Sequence, residues 1–154
     1  MNLYLMRHGR ALSGSPDERR PLSEAGREDA VRVAEELARR EVRPARILHS
    51  GLRRARETAE IAAAALGGDL VPESELGLRP HTHPSVMGRL IERWTEAALM
   101  VGHLPHLERL TSLLVSGDPD GGTTAFPAGA LACLSRRDDA TWTLEWMITP
   151  GTLE

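Results

Sequence analysis

Not one lysine occurs in the chain, so all 19 of its basic side chains are arginines. That bias alone excludes nothing. The single cysteine, Cys133, excludes an internal disulfide framework and any multi-cysteine zinc site. Set in the apolar stretch Ala130-Leu131-Ala132-Cys133-Leu134, it is read as a small buried hydrophobe. The chain shows neither a basic-then-apolar leader nor an apolar run approaching the ~18 residues of a membrane span, and the expectation is a cytoplasmic protein with no membrane partner. A net charge of −3 excludes a nucleic-acid partner held by bulk electrostatics. Repeats, linkers and low-complexity tracts are absent too, so residues 1–154 are read as a single domain.

What is present is an alternation of strands and helices. Leu3 to Met6 is an apolar run that stops at Arg7-His8-Gly9, which predicts a buried strand leading into a charged turn. Residues 10–21 carry the Gly, Ser, Pro and charge of a loop, and Ser23 is a good N-cap. Ala30, Val33, Ala34, Leu37 and Ala38 then recur at helical spacing. Arg46 to His49 predicts a second strand, and Leu52 through Leu66 a second helix stopped by Gly67-Gly68. A brief edge strand is expected at Asp69-Leu70-Val71, then a loop over 72–84, with Pro84 starting a helix that carries Val86, Leu90, Ile91 and Trp94. Ala97 to Val101 predicts another strand, ending at Gly102-His103, before a helix opened by Pro105. After a loop over 116–127, two late strands are expected near 129–135 and 141–148. This order predicts an α/β fold, a three-layer α/β/α sandwich with a mostly parallel central sheet.

Three segments place a charged or imidazole side chain just past a strand or at a helix start. They are Arg7-His8-Gly9, Ser50 through Thr58 with Arg54 in the first helical turn, and Gly102-His103-Leu104-Pro105. Ligands of open α/β sheets bind beyond the carboxyl ends of the strands. If these strands are parallel neighbours, two arginines and two histidines converge on one crevice. Such a crevice suits a phosphoryl group: the arginine fork matches phosphate oxygens, a helix N-terminus adds N–H donors, and Gly9 lets backbone approach the ligand. A neutral imidazole can attack phosphorus and later yield the phosphoryl group to water.

These segments, with Arg20-Pro21-Leu22-Ser23-x-x-Gly26, occur in the order and spacing of the histidine phosphatase superfamily. The Arg-Pro-Leu-Ser segment, the short chain and the late Phe126-Pro127-Ala128-Gly129-Ala130 most resemble its SixA-type phosphohistidine phosphatases, over roughly residues 3–135. The resemblance implies a phosphoglycerate mutase-like fold, His8 as phosphoryl acceptor, Arg7 and Arg54 as clamps on the phosphoryl oxygens, and His103 as a further donor. It implies neither metal nor cofactor. Two positions depart from the family pattern: Gly51 stands where proline is usual, and Glu57 where glutamine is usual.

The expected reaction is hydrolysis through a phosphohistidine on His8, with a phosphorylated protein (phosphohistidine) as preferred substrate. Alternatives are a small phosphorylated metabolite, such as a sugar phosphate or nucleotide, and a non-catalytic phosphate-binding module. A mutase is disfavoured because it normally carries a longer capping insertion. No segment reads as an unpaired apolar face, so a monomer is expected. His81-Thr82-His83 could suggest a metal site, but without nearby carboxylates or cysteines the pair is read as exposed loop histidines. His49 and His106 are read as local structure or pocket rim. Larger superfamily members protonate the leaving oxygen with a Glu or Asp. Here Glu73, Glu75, His81 and His83 lie in the right part of the chain, and no motif selects among them. Imidazole, with a pKa of about 6.5, leaves without such help, which favours a phosphoramidate substrate.

Overall fold

The computed structural model describes residues 1–122 and 124–153; Thr123, within the expected 116–127 loop, and Glu154 lie outside the described residues. Among the described residues, six strands and four α-helices alternate. They are β1 (Asn2–Arg7), α1 (Glu24–Arg39), β2 (Arg46–His49), α2 (Arg53–Leu66), β3 (Glu73–Ser74), α3 (Ser85–Glu92), β4 (Ala98–Gly102), α4 (His106–Ser116), β5 (Leu131–Arg136) and β6 (Trp142–Ile148). The strands form one sheet in the order β3-β2-β4-β1-β5-β6. From β3 to β1 every pairing is parallel, whereas β1–β5 and β5–β6 are antiparallel.

The apolar runs explain the layering. Side chains on a strand alternate between faces, and a strand covered on both sides needs apolar residues at every position. In β1, Leu3 and Leu5 join Met100, Met87, Ile91 and Leu107 in the core under α3 and α4. Tyr4 and Met6 face the opposite way and join Leu99, Val101, Val33 and Ala59 in the core under α1 and α2. This is the expected three-layer sandwich. Cys133 is buried in β5, as its apolar setting implied, and burial, the largest influence, pushes its thiol pKa up to about 11.

Helix ends follow local chemistry. Ser23 caps α1 by accepting the Gly26 N–H at 3.0 Å, and left-handed Gly117 closes α4. The expected edge strand at 69–71 does not form; the chain pairs with β2 slightly later, with Glu73 and Ser74 opposite Leu48 and His49. Gly67 and Gly68, both at positive φ, carry the turn further than the apolar Leu70-Val71 pair suggested, and Val71 is left exposed. Pro84 precedes α3 as expected, but the helix stops before Trp94. Among the described residues no helix is long and apolar enough to cross a membrane.

Candidate active site

Because β1 and β4 are parallel neighbours with Arg7 opposite Gly102, their carboxyl ends release Arg7-His8 and His103 side by side. The His8 and His103 rings lie 4.8 Å apart, centre to centre. β2, on the other side of β4, delivers Ser50 and α2. Ser50 Oγ lies 2.5 Å from His103 Nε2, and Arg54 is buried in the first turn of α2. Arg54 and Arg7 are both among the charges acting on His8. The four side chains singled out in the sequence therefore lie near one another, with the two imidazoles in ring contact and both arginines close enough for their charge to act on His8.

Backbone groups hold three of them. His8 N–H donates to Gly102 O at 3.0 Å, and Gly129 N–H donates to His8 O at 3.1 Å. Arg7 Nη1 donates to Phe126 O at 2.8 Å. The Phe-Pro-Ala-Gly-Ala segment thus anchors both residues from the β5 side, a role its sequence did not disclose. Arg54 Nη1 donates to Asp17 O at 2.8 Å, with Nη2 3.4 Å from the Asp17 carboxylate. Asp17 also pairs with Arg20. Partial burial works to raise the Asp17 pKa, but hydrogen bonds and charge from Arg20 and Arg54 outweigh it and hold the carboxyl below its ordinary value. A lone aspartate in a charged loop gave no sequence signal for this role.

The motif glycines and Thr58 form the frame. A Cβ on Gly9 would stand 2.8 Å from Gly26 O, and one on Gly26 only 2.1 Å from Arg10 O. Gly9 is therefore demanded by contact with the start of α1, whatever its part in ligand approach. Thr58 Oγ1 accepts the Gly9 N–H at 3.2 Å and donates to Arg54 O at 2.8 Å, tying the loop after β1 to α2. Glu57 accepts the Leu22 N–H at 2.8 Å and pairs with Arg27 and Arg53, so a carboxylate serves well where the family usually has glutamine. Gly51 has a φ of 91° and its N–H donates to His49 Nδ1 at 3.0 Å. Proline can do neither, so this turn is held in a way of its own.

The protonation state of His8 follows from geometry. Its Nδ1 lies 2.7 Å from Gly9 O. A carbonyl oxygen can only accept, so Nδ1 carries the proton and Nε2 keeps its lone pair. Burial lowers the His8 pKa most; the Gly9 hydrogen bond opposes it, Arg54 and Arg7 add to it, and the result is about 4. Burial, then the neighbouring His8 and Arg54, take His103 to about 3. Arg7 Nε and His103 Nδ1 are buried without a hydrogen-bond partner.

Other candidates lie elsewhere. His49 is buried against the Gly51 N–H, and fully buried His106 opens α4. His83 Nδ1 hydrogen-bonds Ser85 Oγ at 2.8 Å. Exposed His81 does not gather with His83 and carboxylates: among the described residues no three His, Cys, Asp or Glu side chains form a metal-binding group. A cavity of about 610 Å³ between α3, α4 and the β5–β6 hairpin is lined by Arg89, Glu92 and Trp142 and by none of these site residues. A cleft of about 440 Å³ adjoins Arg54 through Asp17 and Leu52.

Fold and site together define a phosphoglycerate mutase-like protein in which two arginines stand close to a neutral histidine. Residues 3–80 match the family model of the histidine phosphatase superfamily (branch 1). An uncharacterized protein of Picosynechococcus sp. is 35% identical over 126 residues, 76% of this chain and 74% of its own. The protein histidine phosphatase SixA complexed with tungstate superposes with a TM-score of 0.90 at 25% identity, covering 100% of both chains. A protein of Agrobacterium tumefaciens assigned as a phosphohistidine phosphatase SixA gives 0.80 at 29% identity, covering 97% of this chain and 98% of its own. The chain belongs to the histidine phosphatase superfamily, and within it is of the SixA type.

Proposed function

We propose that this protein hydrolyses phosphohistidine on protein substrates in two steps, without a metal, using His8 as the nucleophile. The observation that carries the reading is the Nδ1–H of His8 held on Gly9 O, which fixes the lone pair on Nε2 beside Arg7, Arg54 and His103. In the first step Nε2 attacks phosphorus in line and the leaving imidazole departs. In the second, water attacks the phosphoryl group on His8 and releases phosphate. Arg7 and Arg54 neutralise charge on the equatorial oxygens, the contribution that dominates such reactions, and do so without a cation. His103, buffered by Ser50, adds a donor.

The protein substrate is supported by the short route between site segments. Between β3 and β4 the described residues form only the 3-10 helix Leu76–Leu78 and α3, a short connection that leaves little chain for a lid and favours a side chain carried by another protein. The test compares a phosphohistidine protein with sugar phosphates and nucleotides, with and without chelator. The expected result is a higher kcat/KM on phosphohistidine, unchanged by chelation. Clear preference for a small phosphomonoester, or loss of activity on chelation, overturns that part of the reading. Undiminished hydrolysis by His8→Ala overturns all of it.

A further inference from the structure

We infer that the cleft beside Asp17 receives a carboxylate carried by the protein substrate next to its phosphohistidine, and that Arg79 is the residue that binds it; the inference rests on the phosphohistidine-protein reading. Arg79 belongs to none of the motifs read in the sequence. The fold brings it to the edge of the site.

Asp17, Glu18, Leu52 and Arg79 line this cleft of about 440 Å³. Three contacts tie it to the residues around His8. Asp17 O accepts from Arg54 Nη1 at 2.8 Å. Leu52 N–H donates to Ser50 Oγ at 3.3 Å, and that oxygen lies 2.5 Å from His103 Nε2. Arg79 Nη2 stands 3.6 Å from the point that a Cβ on Gly51 would occupy, and Gly51 directly follows Ser50. The guanidinium thus rests against a turn that carries no side chain. A polypeptide whose phosphohistidine reaches Arg54 and His103 passes within side-chain reach of it.

Charge selects the group that fits. Asp17 is held between Arg20 and Arg54, at 3.2 and 3.4 Å. Glu18 meets Arg79 in a single contact of 3.4 Å, with the glutamate side chain 71% exposed. Two carboxylates therefore face three guanidiniums, and one positive charge is left over. His81, the other titratable group on the lining, adds no negative charge. An exposed pair at such a distance contributes little, so Glu18 can return to water when a second carboxylate takes its place. Arg79 uses one nitrogen on Glu18, and its Nε is buried without a hydrogen-bond partner. Its planar fork matches both oxygens of a carboxylate. A basic side chain would instead find both acidic residues already engaged by arginine.

The test measures kcat/KM on phosphohistidine peptides that carry Asp or Asn at each flanking position in turn, for wild type, Arg79→Gln, Arg79→Lys and Glu18→Gln. At one flanking position or more, wild type should favour Asp over Asn by about three- to fivefold, the size of a partly exposed ion pair. High salt should shrink that preference in the unaltered protein. Arg79→Gln should erase it, and Arg79→Lys should keep part of it, because a point charge replaces the fork. Glu18→Gln removes the competing carboxylate and should widen it. Circular dichroism confirms that each variant folds. No preference for Asp at any position in wild type, or a preference that Arg79→Gln leaves intact, overturns the assignment of Arg79. A wild type that hydrolyses none of the peptides fails differently and refutes the phosphohistidine reading itself.

Discussion

His8 should remain an active nucleophile well into the acid range, and the size of this effect can be worked out from its surroundings. Burial, opposed by the Gly9 carbonyl and reinforced by Arg54 and Arg7, brings its pKa to about 4. At pH 7 and at pH 5.5 the neutral fraction is then about 99.9% and about 97%, whereas a histidine at the reference value of about 6.5 would be about 76% and about 9% neutral. Dividing kcat/KM by the measured ionisation of the substrate isolates the free enzyme. Between pH 7 and pH 5.5 the corrected value should be nearly flat, where an ordinary histidine gives a fall of about eightfold. Titration of the His8 ring by NMR in the unliganded protein gives the same quantity directly. Arg54→Gln removes a charge that lowers this pKa and should move the NMR midpoint upward. A His8 midpoint near 6.5, or a corrected profile with the eightfold fall, refutes the claim that burial keeps this ring neutral.

Three further outcomes follow from the frame. Thr58→Val strands the buried Gly9 N–H, so stability should fall by about 1–3 kcal/mol in urea unfolding, with kcat/KM falling too because Gly9 O orients His8. Gly26→Ala places a methyl 2.1 Å from Arg10 O and forces the loop after β1 off α1; a loss of about 1–3 kcal/mol is expected, and a variant as stable as wild type would show that the contact is slack. His8, His103 and His106 are held neutral, mainly by burial, with pKa values of about 4, 3 and 4. In the unfolded chain they take up protons at about pH 6.5, so stability is complete above that value and is lost as pH falls toward 4. Denaturant midpoints measured from pH 7.5 to 4 should decline steeply, and a flat series would contradict the burial of these rings.

Much of this was legible in the sequence because the relevant residues sit where regular structure starts or stops. Strand β1 is a run of apolar residues that ends abruptly at Arg7-His8, and β2 and β4 end the same way before Ser50 and His103. Period and punctuation therefore placed all four candidate ligands before any coordinates. The sequence could not say which strands are neighbours. That depends on pairing β4 between β1 and β2, a non-local choice that leaves no local trace. The brief edge strand was misplaced because two residues on an exposed rim carry almost no burial pattern. The supports of the site were invisible for another reason. Phe126 acts on Arg7 through its backbone carbonyl, as Asp17 does on Arg54 in addition to its carboxylate, and a carbonyl looks the same under every side chain. Gly9 and Gly26 were visible as motif residues, but their mutual contact appears only once α1 is docked against the loop.

The central claim is tested most directly by rapid acid-free quenching of the enzyme with radiolabelled substrate, followed by alkaline digestion and mapping of the labelled residue. The label should appear on His8 as an acid-labile, alkali-stable phosphoramidate and vanish in His8→Ala. Label recovered on another residue, or turnover with no label on the protein, contradicts the account.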